Sequence, residues 1–399
     1  MIEHRGYLTG TANLSMALFG IIIGTIGATL PVIISTFGLS LSQAGTLLAA
    51  DSFGYLLSVM ACGYLADRYS KKGILSVGVG WAVVALFCFG RHPAFWLNVF
   101  LMFLMGWGAG SMEIVLNALI IDLYTERRAN VLSFLHLFFG AGAFVGPRFA
   151  GYILSQGYDW RYGYIGAGGL GFLLLLAFLA QRFPEVRSPS QERRVRAITL
   201  CKERLLLLLG VILALYVGAE MGVGKWMTTY LESERSTSIS FAADGLSLYW
   251  IGLTLGRLIL SRISHRFEYA LLIQIMNIGT FLSLSAAILV PHSTISVIFF
   301  ALTGLFFSGV YPIAMAIAGS SFPEYSATAA SILATGGAVG SMIFPWSMSW
   351  ISERTNLTVG MGFYVLLAIL MIGVTRIVTS TELETRSLSE PQSLAGTDV

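Results

Sequence analysis

The chain has 399 residues, of which 56% are hydrophobic and only 11% are charged, and its formal net charge is +3. Soluble domains carry about 25% charged residues, so too few charges remain here to cover a water-facing surface. The composition therefore excludes a soluble globular enzyme, a nucleic-acid-binding protein and a disordered chain, and it indicates a helical protein that crosses a membrane many times.

Twelve stretches are long and apolar enough to span a membrane, since a spanning helix needs about 20 mostly apolar residues. In chain order, their predicted limits are 8–36, 42–66, 73–90, 94–122, 128–155, 161–182, 204–231, 241–262, 268–289, 294–319, 324–351 and 358–379. The first stretch is too long for the apolar part of a signal peptide, so we expect it to be retained. An even number of spans places both termini on one side of the membrane.

Lysine and arginine residues outside the spans predict the orientation, because such residues accumulate in cytoplasmic loops. Most of them lie on the side of the two termini, including the cluster from Arg182 to Arg204. The opposite loops hold Arg91, Arg161, Arg235 and Arg354. Both termini are therefore predicted to be cytoplasmic.

A polar loop divides the spans into two groups of six. We predict an N-terminal six-helix bundle at 1–182, a cytoplasmic linker at 183–203, a C-terminal six-helix bundle at 204–380 and a disordered cytoplasmic tail at 381–399. The predicted fold class is thus an all-α membrane protein with 12 transmembrane helices in two bundles.

The two halves show an internal repeat when the sequence is shifted by 198 residues. At this offset Gly54 meets Gly252, and Gly106 meets Gly304. One constant offset across several helix pairs indicates a duplicated unit, and an even number of helices per unit makes the repeats parallel. A substrate site is then expected between the halves.

The fifth predicted span is rich in glycine, and the pattern permits two interpretations. Its small residues are Gly140, Gly142, Gly146 and Gly151, with Pro147 among them. Small side chains let membrane helices approach closely, so the run indicates either ordinary tight packing or a face that slides against the other half.

The segment after the second span resembles a known signature. It reads Gly63-Tyr64-Leu65-Ala66-Asp67-Arg68-Tyr69-Ser70-Lys71-Lys72. It is similar to the signature loop of the major facilitator superfamily, with Ser70 where a glycine is usual. The resemblance implies transport by alternating access and an inner gate, a role that we assign to Asp67 and Arg68. A plain positively charged cytoplasmic loop is the alternative interpretation.

A narrower resemblance is carried by three other segments. They are 113–117 (EIVLN), 135–142 (LHLFFGAG) and 216–220 (YVGAE), the last followed by Trp226 and Tyr230. They look like the fucose–galactose–glucose proton symporter family, particularly its bacterial glucose/mannose branch. This implies proton-coupled sugar transport in a bacterial inner membrane. The glycine–proline pattern of the fifth span also resembles one found in antiporters, which leaves the direction of coupling open.

Ionisable side chains inside the membrane are candidate functional residues, because each costs about 2.5–3.5 kcal/mol at the centre of a helix. They are Asp51, Glu113, His136, Arg148, Glu220, Lys225 and Arg257.

Glu113 is the preferred proton carrier among them. Burial disfavours the charged form of a carboxylate, so a cavity-lining acid can bind a proton and release it as access alternates. The alternative is a structural acid paired within the N-terminal half. Glu220 is interpreted as a second proton site or an acceptor for substrate hydroxyls. His136 is interpreted either as part of a relay with Glu113 or as a histidine bonded to a carbonyl.

Four further charges receive gating or structural interpretations. Asp51 and Arg148 are predicted to be gate or interdomain residues, with Arg148 pairing with Asp244 across the halves. Lys225 is expected to face another helix or to extend outwards, and Arg257 is expected to extend to the cytoplasm as a structural residue.

Sugar binding calls for side chains that match hydroxyl groups and for aromatic platforms. By residue type, Asn117, Glu220, Trp226, Tyr311 and Trp346 qualify as substrate-binding candidates. Tryptophan and tyrosine also anchor helices at membrane interfaces, which is the alternative interpretation.

Together these features predict a secondary active transporter, and the preferred interpretation is a proton-coupled symporter of a sugar or similar small polar solute. The alternatives are a proton-driven antiporter that exports drugs, metabolites or lipids, and a transporter-like sensor. The expected partners are the solute, the proton and membrane lipid, with no nucleic acid, and a monomer is expected. Enzyme activity, a cofactor and a metal site are not expected, because the chain lacks a nucleotide loop, a metal-ligand cluster and a nucleophile motif.

Overall fold

The computed structural model describes residues 2–66, 69–124, 128–183, 200, 202–322 and 325–389. Asp67 and Arg68, the predicted inner-gate residues, lie outside the described residues, as does most of the predicted linker. The helices are α1 (Ile2–Phe37), α2 (Leu41–Ala66), α3 (Lys71–Cys88), α4 (Phe95–Leu123), α5 (Arg128–Ser155), α6 (Arg161–Ala180), α7 (Arg204–Arg235), α8 (Ile239–Ile263), α9 (Tyr269–Leu289), α10a (Ser293–Phe307), α10b (Val310–Ser321), α11 (Ser326–Arg354) and α12 (Leu357–Ser389).

Within the described residues, 12 helical segments have the length and hydropathy of membrane spans, with α10a and α10b forming one of them. No strand occurs in that part of the chain. The predicted all-α membrane fold is therefore confirmed. The largest differences are at the ends, where α1 begins at Ile2 and α12 continues to Ser389, into the segment predicted to be a disordered tail.

Side-chain caps and glycines mark several helix ends. The hydroxyl oxygen of Ser70 accepts a bond from the Gly73 amide at the start of α3. The Ser238 hydroxyl accepts one from Phe241 at the start of α8. Such caps satisfy amide groups that have no partner within the helix. Gly38 follows α1 with a φ of 59°, a left-handed value that glycine adopts without strain.

The two halves repeat the same helix packing. In the first half α1 packs against α5 and α2 against α4, and in the second half α7 packs against α11 and α8 against α10a. The glycines paired by sequence occupy equivalent contacts in the two halves. A side chain at Gly54 would meet the Phe103 carbonyl, and one at Gly252 would meet the Ala301 carbonyl. Close backbone approach at matching positions explains why these glycines recur at one offset.

The halves meet on the side of the bundle away from the termini. Because the spans alternate in direction, both chain ends lie on one side, here named the terminal side, and the other is the far side. Across the interface, α1 packs against α7, α2 against α11 and α5 against α8. Gly27 lies against the Gly224 carbonyl in the far-side halves of their helices, and Gly45 lies against Ser349 close to the far-side ends of theirs. The far side is thus closed by direct contact between the halves.

The glycine run of α5 contacts both its own half and the other half, with different residues. Gly142 and Gly146 face α1 of their own half. Gly140 and Gly151 face Thr254 and Ala243 on α8 of the other half. Two of the glycines therefore permit packing within a half, and two permit close contact between the halves.

Candidate functional site

A central cavity of about 600 Å³ lies between the halves. It reaches from Asp51 and Lys225, near the middle of the bundle, to Ser264 and Tyr269 at the terminal-side ends of α8 and α9. Its walls come from α1, α2, α4 and α5 of one half and from α7, α8, α10b and α11 of the other. With the far side closed, the cavity extends towards the terminal side.

The far-side end of the cavity is formed by an ion pair between the halves. Lys225 on α7 places Nζ 2.7 Å from Asp51 Oδ2 on α2, and also donates to Ser52 Oγ at 2.9 Å and to the Leu48 carbonyl at 3.4 Å. The side chains of Lys225 and Asp51 are only 4% and 12% exposed. Ser52 donates in turn to the Ser341 carbonyl on α11 at 3.0 Å. All three ammonium donors therefore have acceptors on the opposite half.

Glu113 reaches the cavity wall from α4 and is bonded to α2. The Tyr55 hydroxyl donates to Glu113 Oε2 at 2.7 Å. The small residues on the same face of α4 allow this contact, because Gly106 lies against the Asp51 carbonyl and Gly110 against that of Tyr55. The polar face predicted for α4 therefore packs mainly on α2. Glu113 is hydrogen-bonded within its own half and also lines the cavity. The structure therefore has features of both interpretations, the proton carrier and the structural acid.

Glu220 and Arg257 form a second charged pair, which lies within the C-terminal half. Arg257 Nη2 is 3.7 Å from Glu220 Oε1, and both residues line the cavity. The glutamate side chain is 4% exposed, whereas that of the arginine is 35% exposed. The Tyr249 hydroxyl donates to the Glu220 carbonyl at 2.9 Å, which joins α8 to α7 at this level.

The predicted structural role of Arg257 at the cytoplasmic surface is wrong. Depth along the helix suggested that its side chain could extend to water, but α8 is a central helix and the side chain turns into the cavity. The Glu220 carboxylate lies there and offsets part of the cost of placing a cation in the interior. The charge of Arg257 acts on Glu113, Glu220 and His136.

His136 and Tyr311 line the cavity from α5 and α10b. The described residues offer His136 no hydrogen bond, either from Glu113 or from a neighbouring carbonyl, so neither predicted arrangement of this histidine is present. Tyr311 likewise has no hydrogen bond to another described residue. Both side chains can therefore interact with a solute or with water.

Three predicted substrate-binding residues do not line the cavity. Trp226 is fully buried inside the C-terminal half, and its indole nitrogen has no partner among the described residues. It lies six positions after Glu220, which places the two about 120° apart around α7. Trp346 is 44% exposed on the surface of the bundle. Asn117 lies one turn beyond Glu113, and its side-chain oxygen is buried in the protein without a described partner.

The predicted pair between Arg148 and Asp244 is present. Arg148 Nη1 on α5 lies 3.0 Å from Asp244 Oδ1 on α8, and the two side chains are 63% and 43% exposed. A second contact between the halves joins the Ser42 amide on α2 to Glu353 Oε2 on α11 at 2.6 Å. These contacts lie at the far side, beyond the buried pair of Asp51 and Lys225.

Apart from the pair of Arg148 and Asp244, sequence reasoning missed the partners of the intramembrane charges. Tyr55 follows Asp51 by one helical turn and lies on the same face of α2. This spacing predicts that Tyr55 lies near Asp51, but it does not predict the contact of Tyr55 with Glu113. The position of Lys225 opposite Asp51 depends on how the halves meet. Among the described residues, no three potential metal ligands cluster together.

Comparison with known proteins identifies the family. The model of the Major Facilitator Superfamily matches residues 12–283 and 234–396. The glucose/mannose transporter GlcP of Bacillus subtilis (strain 168) is 22% identical over 398 residues, which cover 94% of this chain and 96% of that protein. This relative confirms the resemblance to the glucose/mannose branch.

Solved structures of transporters share the fold. A mutant of the nucleoside transporter NupG has a TM-score of 0.81 and 12% identity, with 94% of this chain and 99% of that chain covered. A bacterial homolog of the human lysosomal transporter Spinster, in an inward-facing and unoccupied conformation, has a TM-score of 0.79 and 18% identity, with 96% and 98% covered. With its twelve spans, its repeated halves and its central cavity, the chain belongs to the major facilitator superfamily, whose members are membrane transporters rather than enzymes.

Proposed function

We propose that the protein is a secondary active transporter that carries a sugar or similar small polar solute together with a proton by alternating access. The observation that carries this proposal is the central cavity between two repeated halves, which contains Glu113 and Glu220 and is closed on one side. A site at the interface of parallel repeats can be exposed to each side in turn when the halves rock against each other.

The terminal side is proposed to be the cytoplasmic side of a bacterial inner membrane, because most lysine and arginine residues of the loops lie there. The cavity then faces the cytoplasm. The contacts of Asp51 and Arg148 with the other half form the closed outer gate in this conformation.

Glu113 is proposed to carry the coupled proton. Its described hydrogen bond comes from the neutral Tyr55 hydroxyl, so no cation is in direct contact with its carboxylate. An ionised carboxylate in such surroundings is expensive, and binding a proton removes the charge. Because the residue lines the cavity, the proton can arrive from one side and leave to the other. Glu220 and His136 lie in the same cavity and are proposed to assist coupling or solute binding.

The solute is proposed to be of monosaccharide size. A cavity of about 600 Å³ is within the range of about 300–1,000 Å³ that is usual for small-molecule sites. The relative named for glucose and mannose transport supports a sugar or a similarly hydroxylated compound. Glu220 and Tyr311 supply hydrogen-bonding groups on the cavity wall. The relatives named above do not favour proton-driven export.

Transport in vesicles tests the proposal. A thermal-shift screen of the detergent-purified protein selects the solute, because a bound ligand stabilises the folded state. The selected solute is then supplied to vesicles containing the protein under an inward proton gradient. We expect accumulation above the external concentration, and collapse of this accumulation when a protonophore is added. Uptake that does not depend on the proton gradient would contradict proton coupling. Net efflux of the solute driven by the inward gradient would indicate an exporter.

A further inference from the structure

The two basic side chains, Lys225 and Arg257, that line the cavity within the described residues differ in how the fold uses their donors. Lys225 has three acceptors on the opposite half and is 4% exposed. Arg257 carries five N–H donors. Its contact with Glu220 spans 3.7 Å, beyond the 2.7–2.9 Å or so of a charge-assisted hydrogen bond. The fold satisfies the lysine, whereas most of the five guanidinium donors have no acceptor among the described residues.

The surroundings of Arg257 direct those donors into the cavity. Glu220 is 4% exposed, so its carboxylate lies deeper than the 35% exposed guanidinium. The Tyr216 hydroxyl lies between Arg257 and Glu220 and interacts with both, although it is not aligned for a well-formed hydrogen bond to either. Glu220 therefore balances the charge of Arg257 without accepting a hydrogen bond from its paired N–H donors. Acceptors for these donors must come from water or from a bound solute.

We propose that the transported solute carries a carboxylate group and that Arg257 binds it through two parallel N–H donors. The solute would then be a hydroxylated carboxylic acid of monosaccharide size, such as a sugar acid. This inference rests on the proposed function, since it names the solute class of the same cavity. Paired bonds between arginine and carboxylate are stronger and more directional than bonds to neutral hydroxyls. His136 and Tyr311, which also line the cavity, supply further hydrogen-bonding groups for the hydroxyls.

The charges of the cavity favour a single carboxylate over a phosphate. Lys225 is already neutralised by Asp51, so Arg257 is the cation with open donors on this wall. A phosphate dianion would lack a second such cation. The two tryptophans expected as platforms for a neutral sugar ring, Trp226 and Trp346, do not line the cavity. A neutral sugar would also leave the guanidinium without a charged acceptor.

The same charges explain why a proton must accompany the solute. With Glu113 and Glu220 both ionised and Arg257 charged, the cavity carries one net negative charge, which repels an anion. A proton on Glu113 removes that charge before the anion enters. The titratable and charged groups whose fields reach this carboxylate are Tyr55, Glu220, Arg257 and Tyr311, with His136 on the same cavity wall. One proton and one monoanion then cross together, so transport is electroneutral.

Ligand binding to the full chain tests this inference. The probes are D-gluconate, D-glucuronate, D-glucose and D-glucose 6-phosphate, measured with the purified protein at mildly acidic pH. We expect the two monocarboxylates to bind at least about tenfold more tightly than D-glucose. Equal or tighter binding of D-glucose overturns the inference, and tighter binding of the phosphate ester overturns the choice of a monocarboxylate. If neither monocarboxylate binds, the inference is wrong, whereas the proposed function is decided by the solute screen and the vesicle assay.

Substitutions on α8 assign the effect to one side chain. Arg257→Gln removes the charge and is expected to abolish the preference for acids. Arg257→Lys keeps the charge but removes the two parallel N–H donors, so it is expected to weaken the preference for acids. Arg262→Gln is the matched control, because Arg262 is exposed on the same helix and does not line the cavity. An unchanged preference in Arg257→Gln contradicts the inference. If that variant does not fold, Arg257→Lys and the wild-type measurement below still decide the question.

The charge moved per cycle separates this inference from the proposed function. In proteoliposomes with an inward proton gradient, a membrane potential is imposed with potassium and valinomycin. We expect the uptake rate of D-gluconate to be unchanged by an inside-negative potential. Faster uptake would show net positive charge movement and would overturn the electroneutral cycle. Proton-driven uptake of D-glucose without uptake of acids would refute the inference alone. Uptake of acids without proton coupling would refute the proposed function and the electroneutral cycle, but not the binding of a carboxylate by Arg257.

Discussion

Lys225 Nζ lies 2.7 Å from Asp51 Oδ2, and the two residues belong to opposite halves of the transporter. Both side chains are almost completely buried, so the pair closes the cavity on the far side. A buried ion pair contributes little net stability when intact, but removal of one partner leaves an unpaired buried charge. Loss of one partner alone therefore opposes far-side closure, and the halves must separate here when the cavity opens to the far side.

The first prediction concerns this pair. Asp51→Asn leaves Lys225 charged and without its carboxylate, at a cost of about 3–5 kcal/mol in the closed conformation. Water relieves this cost when the far side opens, so the population is expected to shift towards the far-side-open state. The readout is labelling of Ser349→Cys, a far-side interface position against Gly45, in a chain without native cysteines. The labelling rate with an impermeant thiol reagent should rise at least about tenfold.

A double variant provides the control. Asp51→Asn combined with Lys225→Met removes both charges, so no unpaired charge remains in the closed conformation. Labelling is expected to return towards the level of the parent chain. An unchanged rate in the single variant, or an equally high rate in the double variant, would show that the pair does not control closure.

The exposed pair at the far side should matter much less. Arg148 and Asp244 are in contact at 3.0 Å, but their side chains are 63% and 43% exposed. Exposed ion pairs contribute about 0–1 kcal/mol, so Arg148→Gln should change Ser349→Cys labelling by less than about fivefold. The two labelling rates are compared side by side. A change as large as that of Asp51→Asn would contradict this ranking of the contacts.

Tyr55 should set the pH range of transport. Its hydroxyl donates to Glu113 at 2.7 Å and so stabilises the ionised carboxylate. Tyr55→Phe removes that bond and favours the protonated form, so half-maximal proton-driven uptake should move to higher pH. A hydrogen bond to a charged group contributes about 1.5–3 kcal/mol, which corresponds to a shift of about one pH unit or more.

The measurement for Tyr55 is the pH profile of uptake. Tyr152→Phe serves as the matched control, because Tyr152 is 59% exposed and does not line the cavity. Its profile should coincide with that of the wild type. A profile of Tyr55→Phe that is unchanged, or displaced to lower pH, would show that the bond to Glu113 does not govern proton loading.

Two glycine substitutions should separate closure from folding. Gly27 faces the Gly224 carbonyl of the other half, whereas Gly142 faces the Ala17 carbonyl of its own half. Gly27→Val should keep the halves apart and raise Ser349→Cys labelling while the thermal unfolding midpoint stays near that of the parent. Gly142→Val should lower the midpoint, since overpacking within a half costs about 1–3 kcal/mol. An equal decrease of the thermal unfolding midpoint in both variants, without faster labelling in Gly27→Val, would contradict this assignment.

Hydropathy and periodic glycines predicted the architecture because they act within one helix or one half. Spans such as 94–122 and 128–155 agree closely with α4 and α5. The repeat predicted from Gly54 and Gly252 corresponds to equivalent backbone contacts. These features depend on the bilayer thickness and on close helix approach, and both are visible in residue type and spacing.

The details of the candidate site depend on how helices rotate and meet, which residue type does not determine. Arg257 was misassigned because depth alone favours an extended side chain, whereas its helix turns it towards Glu220. Trp226 has the right chemistry for a sugar platform but fills the core of its half. The contact of Lys225 with Asp51 requires the packing of one half on the other. Angular position relative to Glu220 alone would not have excluded Trp226, because Lys225 is about 140° from Glu220 on the same helix and does line the cavity.

The most direct test of the central claim is the effect of Glu113→Gln on two transport modes in the same vesicles. Glutamine cannot exchange a proton, so solute accumulation driven by a pH gradient should be abolished, while counterflow exchange of solute at equal pH should continue at nearly the parental rate. Glu232→Gln, at a position outside the cavity lining, should leave both modes intact. Equal loss of accumulation and counterflow in Glu113→Gln, or accumulation that persists, would contradict a proton carried by this residue.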